Sequence, residues 1–227
     1  MASGVPDYEQ AAAWGLPAAR EPRWPASLAV AAAVALTASL PNALLPGPRW
    51  VLPAIEGVVV VPLTVVHPFR RHDEATAVRW ISFGLIGVAE VYNLISLGLL
   101  VNSIVNGLAS NGRQLVVAAL QIYGTNILLF ALWFWELDRG GPGARTLARH
   151  RRPDFLFPQM VTPEAAAPSW SPSFVDYLYV SFTNATAFSP TDTMPLTAGA
   201  KMLMLVEASA AVVTVAVVAA RAINILK

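Results

Sequence analysis

The chain has 227 residues, 56% of them hydrophobic and only 13% charged, with a mean hydropathy of +0.54 and a formal net charge of +1. A soluble domain carries about 25% charged residues, so this composition excludes a soluble enzyme, a disordered tail and a nucleic-acid reader. The apolar residues fall in helix-length blocks, which excludes the alternating spans of a membrane β-barrel and points to a multi-pass α-helical membrane protein. Without cysteine there are no disulfides and no thiolate chemistry.

Residues 1–25 read as a polar N-terminal tail, punctuated by Pro6, Pro17, Pro22 and Pro25 and ending at Trp24. No positive region runs directly into an apolar one at the start, so no cleaved signal peptide is expected. Residues 26–137 form a four-helix transmembrane region, with spans at 26–45, 50–66, 78–107 and 114–137. Trp133, Phe134 and Trp135 close the fourth span as an interfacial aromatic belt. Residues 138–172 are a connection, first basic (Arg139, Arg145, Arg149, Arg151, Arg152) and then proline-rich. The basic stretch 144–152 is expected to be a solvated topological anchor, the alternative being that it lies on a membrane surface rich in anionic lipid. Residues 173–189 are a short aromatic segment and 199–226 a long final span. The fold class expected is an all-α membrane protein: four N-terminal transmembrane helices, a short re-entrant or crossing helix, and a long C-terminal transmembrane helix.

Charge and length disagree about the short segment. If all six apolar segments cross and the N-terminus is inside, twelve basic residues lie in the cytoplasm against three outside, as the positive-inside rule favours. Yet seventeen residues reach only about 25 Å, short of a hydrocarbon core of about 30 Å. Five crossings plus a dip fit the length better.

Residues 176–201 read DYLYVSFTNATAFSPTDTMPLTAGAK. This stretch resembles the pore loop of the potassium-channel superfamily, in which a short aromatic helix is followed by threonines, a filter, an Asp and the inner helix. The matching positions are Asp176, Leu178, Tyr179, Ser181, Phe182, Thr183, Thr186, Asp192, Pro195 and Thr197. The resemblance implies that 114–137 is an outer helix, 199–226 an inner helix, and the protein a cation-channel-like homo-oligomer, a tetramer, acting on monovalent cations. The family's Gly-Tyr-Gly is missing. Ala187, Phe188 and Pro190 stand in the filter stretch, and they do not adopt the backbone angles that glycine permits. A potassium-selective carbonyl ladder is therefore not expected. What remains is a hydroxyl-rich turn with one carboxylate: Thr186, Ser189, Thr191 and Asp192. The alternative is an ordinary hairpin of two crossing helices in a non-conducting scaffold or accessory subunit, with SPTDTMP as its turn.

Glu56, Glu90 and Glu207 lie inside apolar runs, and Asn93 follows Glu90 by one turn. A charge at mid-bilayer costs roughly 2.5–3.5 kcal/mol on insertion scales. Glu90, Asn93 and Glu207 are thus candidate intramembrane polar sites, either on a proton or cation path or in neutral hydrogen bonds between helices. No nucleophile elbow, zinc-binding helix or phosphate-cradling glycine loop occurs, so no enzyme, catalytic residue, cofactor or metal site is expected. Beyond a second copy of the chain, the expected partner is the lipid bilayer, and no nucleic acid is expected. The Ala- and Arg-rich composition suggests a bacterial inner, that is plasma, membrane.

Overall fold

A computed structural model describes residues 21–51, 54, 75–107, 112–146, 152–167, 170–187 and 192–225. The expected second span at 50–66, Glu56, and the turn residues Ser189 and Thr191 lie outside the described residues, apart from the first positions of that span. The fold is mostly helical. The stretches Arg79–Val105, Gly112–Arg145 and Ala198–Arg221 are long and apolar enough to cross a membrane.

Five helices carry the architecture: α1 (Trp24–Ala38), α2 (Ala75–Val105), α3 (Gly112–Leu137), α4 (Phe174–Ala187) and α5 (Ala198–Ile225). α1 corrects the expected span at 26–45. Its fifteen residues rise only about 22 Å. Pro41 has no N–H to give the Thr37 carbonyl and cannot continue the helix. The Leu40 amide takes that carbonyl instead, at 3.1 Å. The chain goes on through a tight turn at Asn42–Leu44, with Leu40, Leu44 and Leu45 buried. α2 ends at Gly107, whose φ of 64° is the left-handed stop that glycine supplies.

α3 is the axis of the bundle; α1, α2, α4 and α5 all pack on it. It is apolar around most of its circumference, as a helix surrounded by others must be. Both α1 and α2 run antiparallel to it: Ser39 meets Gln121 while Glu21 meets Trp135, and Gly87 lies against Trp133 while Leu100 joins Leu115. α5 is antiparallel to α3 as well, with Glu207 beside Asn126 and Val217 beside Ala119.

α4 and α5 run in the same direction. Ser181 and Asn184 bond Glu207, and Ala185 packs on Ala211, so the two helices advance together. Both begin at the end of the bundle where α3 stops. The chain between them returns to that end: β2 (Met194–Pro195) pairs antiparallel with β1 (Phe155–Leu156), with Phe155 opposite Pro195. Asp154 clasps the return, its carbonyl accepting from the Leu196 amide at 2.8 Å and its side chain from the Thr197 hydroxyl at 2.8 Å.

Two large clusters make up most of the apolar core among the described residues, with a small third one at Ile127, Ala185 and Ala211. One cluster joins Ala29, Ile86, Phe134, Phe155, Tyr177 and Met204; the other joins Leu40, Leu97, Leu100, Leu115, Ile122 and Ala210. The first is aromatic, with Phe134–Phe155 and Phe157–Tyr177 ring centroids 5.0 and 5.5 Å apart, each pair adding about 0.5–1.5 kcal/mol beyond burial. Between the two clusters lies a polar layer.

Candidate functional site

The polar layer forms because four helices each place polar side chains near mid-length. Glu90, Asn93 and Ser96 follow one another at three-residue spacing on the face of α2 turned to the bundle. Asn126 comes from α3 and Glu207 from α5. Ser181 and Asn184 sit on the buried face of α4. All seven are buried. Gly87 faces the Trp133 ring and Leu100 clusters with Leu115, which puts Asn93 of α2 and Asn126 of α3 at a similar depth between those two points. Asn126 in turn donates to the Glu207 carbonyl at 3.4 Å, and Glu90 lies within electrostatic range of Glu207.

Around Glu207 every bond can be assigned. Asn184 Nδ2 carries two hydrogens; one goes to the Met204 carbonyl at 2.9 Å and one to Glu207 Oε2 at 2.6 Å. Ser181 Oγ contacts both the Ile127 carbonyl, at 2.7 Å, and Glu207 Oε1. A hydroxyl has a single hydrogen, and the Ile127 carbonyl can only accept. Both contacts are satisfied when Ser181 donates to Ile127 and a neutral Glu207 carboxyl donates to Ser181. The α2 side differs. Glu90 Oε1 and Oε2, Asn93 Oδ1, Ser96 Oγ and Asn126 Oδ1 are all buried without a hydrogen-bond partner.

A second cluster locks the end of the bundle where α4 enters. Asp138 Oδ2 accepts from the Tyr177 hydroxyl at 2.6 Å and from Arg139 Nε at 3.0 Å, and Oδ1 accepts from the Asp154 amide at 2.8 Å. Arg145 donates to the carbonyls of Trp135 and Asp138 at 2.8 and 3.1 Å, pairs with Glu21 at 3.2 Å, and lies over the Tyr177 ring at 5.2 Å. Glu21 also accepts from Trp135 Nε1 at 2.9 Å and from the Phe174 amide. This corrects the reading of 144–152 as a solvated anchor at Arg145, which is buried, as is Arg139 just before that stretch. The reversal at Gly140-Gly141, with φ of 88° and 91°, folds the chain back under the end of α3 and carries Arg145 inward.

The predicted sites separate. Glu90, Asn93 and Glu207 come together in the layer. Thr186 does not join them. It belongs to the last turn of α4, is exposed, and donates to the Phe182 carbonyl at 2.7 Å. With no glycine before Phe188 to break it, the helix runs through Thr186 and Ala187, where the hydroxyl-rich turn was expected to begin. Asp192 is exposed on the return. Asn102 and Asn106, one turn apart near the end of α2, bond each other at 2.7 Å on an exposed face. Sequence reasoning missed Ser96, Asn126 and Asn184, and also the whole Asp138–Tyr177–Arg145–Glu21 cluster. Asn126 and Asn184 had a signal in the cost of an amide inside an apolar helix.

Comparison of the chain with family models, curated proteins and solved structures finds no match.

Proposed function

We propose that this is a pore-loop membrane protein of cation-channel type that forms a homo-oligomer, a tetramer, in the bacterial plasma membrane. It passes monovalent cations with little discrimination between potassium and sodium. One observation carries the reading: α4 wedges between α3 and α5, starts at the same end as α5 and runs parallel to it, and the chain returns to that end before α5 begins. A short helix that goes in and comes back is what a re-entrant loop between an outer and an inner helix requires. Four copies would bring the return, with Asp192, around a common axis as a ring of carboxylates.

A second reading has its own support. Ser181, Asn184 and Glu207 bond one another within a single chain and face away from any axis lined by the exposed sides of α4 and α5. A non-conducting scaffold that uses α4 only as a packing wedge fits that observation.

Reconstitution separates the two. Purified protein in liposomes should carry potassium and sodium at similar rates, and native mass spectrometry should give a tetramer. Asp192→Asn should slow flux most at low ionic strength, where screening is least. A monomer without flux leaves the scaffold.

A further inference from the structure

We propose that the part of the layer between α2 and α3, beside Glu207 of α5, is a binding site for one monovalent alkali cation in each subunit, with sodium as the probe. Glu90 is 6% exposed, Asn93 3%, Ser96 0% and Asn126 2%. Together they present five oxygens with no hydrogen-bond partner. A buried polar group without a partner is costly, so four such side chains on the facing sides of α2 and α3 call for a common partner.

The chemistry of the set selects that partner. All five atoms are oxygens, which suit hard cations rather than soft metals. Among the described residues there is no group of three or more His, Cys, Asp or Glu side chains that could hold a metal ion, so the charge needed for a divalent ion is lacking. Glu207 is neutral by the count of hydrogens given above. With Glu90 ionised, the layer offers one negative charge, with neutral amide and hydroxyl oxygens around it. One monovalent cation balances that charge. A proton on Glu90 would serve one acceptor and leave the others unpaired. The Asn126 amide nitrogen already donates to the Glu207 carbonyl, which leaves its oxygen as the atom available to a cation.

The test is binding of ²²Na⁺ to the intact protein in lipid nanodiscs, with choline chloride holding ionic strength constant. Wild type should bind one sodium per chain saturably, and sodium should raise its unfolding temperature relative to choline. Glu90→Gln, nearly isosteric, should bind sodium at least about tenfold more weakly, the loss of one charged contact, and should lose the sodium-specific stabilisation. Glu207→Gln should keep both, because Gln reproduces a neutral acid. Ser96→Ala tests the site without changing charge and should also weaken binding. Equal stabilisation by sodium and choline overturns the proposal, as does sodium binding that Glu90→Gln leaves intact. So does a high-resolution map with only water in the layer at saturating sodium. The readout is binding within a subunit, so a failed flux assay bears on the pore reading and not on this one.

Discussion

Ser181 stands between two oxygens, the Ile127 carbonyl and Glu207 Oε1, and has a single hydrogen for the two contacts. The hydrogen between Ser181 and Glu207 therefore belongs to the carboxyl, and three helices meet through a neutral acid. A Gln at this position has an amide N–H for Ser181 and a carbonyl for Asn184. Glu207→Gln should leave thermal unfolding in detergent unchanged. Glu207→Leu strips Asn184 of one acceptor and Ser181 of a donor, and should cost about 1–3 kcal/mol. Gln and Leu variants that unfold alike would show that the carboxyl makes no such bond.

Asp138 is the anchor of the opposite cluster. It has no exposed surface, and three groups donate to it from α4, from the neighbouring Arg139 and from Asp154. Asp138→Ala leaves buried Arg139 without its carboxylate, a loss of about 3–5 kcal/mol. Tyr177→Phe removes one hydroxyl bond and should cost about 1–3 kcal/mol. Urea or SDS unfolding of the two variants checks the order; a Tyr177→Phe loss equal to that of Asp138→Ala would move the anchor to the phenol.

Gly141 is required by geometry. At φ 91° a Cβ would lie 3.0 Å from Glu136 Oε2 and 3.2 Å from the Glu136 carbonyl oxygen. Gly141→Ala should lose about 1–3 kcal/mol through backbone strain. Gly143, whose Cβ would meet nothing within 4 Å, should accept Ala with little change. The pair measured side by side in one thermal assay is its own control.

Arg79 Nε lies 3.9 Å from the position of a Cβ on Gly141, so the start of α2 and the end of α3 share one face. A cysteine in place of Gly143 and one in place of exposed Asn106, in this cysteine-free chain, should react with an impermeant maleimide from opposite sides. The basic character of the Arg79–Arg145 end favours the cytoplasm for Gly143. Reaction of both from one side would remove the crossing assigned to α2 and α3.

The long apolar helices were legible because hydropathy over about 20 residues is a property of composition alone. The structure's α2, α3 and α5 fall within a few residues of the blocks at 78–107, 114–137 and 199–226. The extent of α1 was not, since fourteen apolar or small residues after Trp24 outweighed the single missing N–H of Pro41. Glu90, Asn93 and Glu207 stood out because each is costly where it lies. Asp138, Arg145 and Glu21 did not, because charged residues in polar connections are ordinarily solvated. Their burial depends on a chain reversal at Gly140-Gly141 and on a tyrosine 39 residues further on, and no local window contains both.

The clasp of Asp154 on Leu196 and Thr197 bears on how the protein is made. α4 is absent from the helices apolar enough to cross a membrane and from the shorter apolar ones, so its own sequence gives it little reason to leave water during synthesis. What holds it are groups that become available at different times: Asp138 at the end of α3, Asp154 sixteen residues later, and Glu207 within α5. The wedge therefore enters only after the ribosome has delivered the helix on either side of it. A chain stopped before Glu207 would leave Ser181 and Asn184 without the carboxyl that both contact.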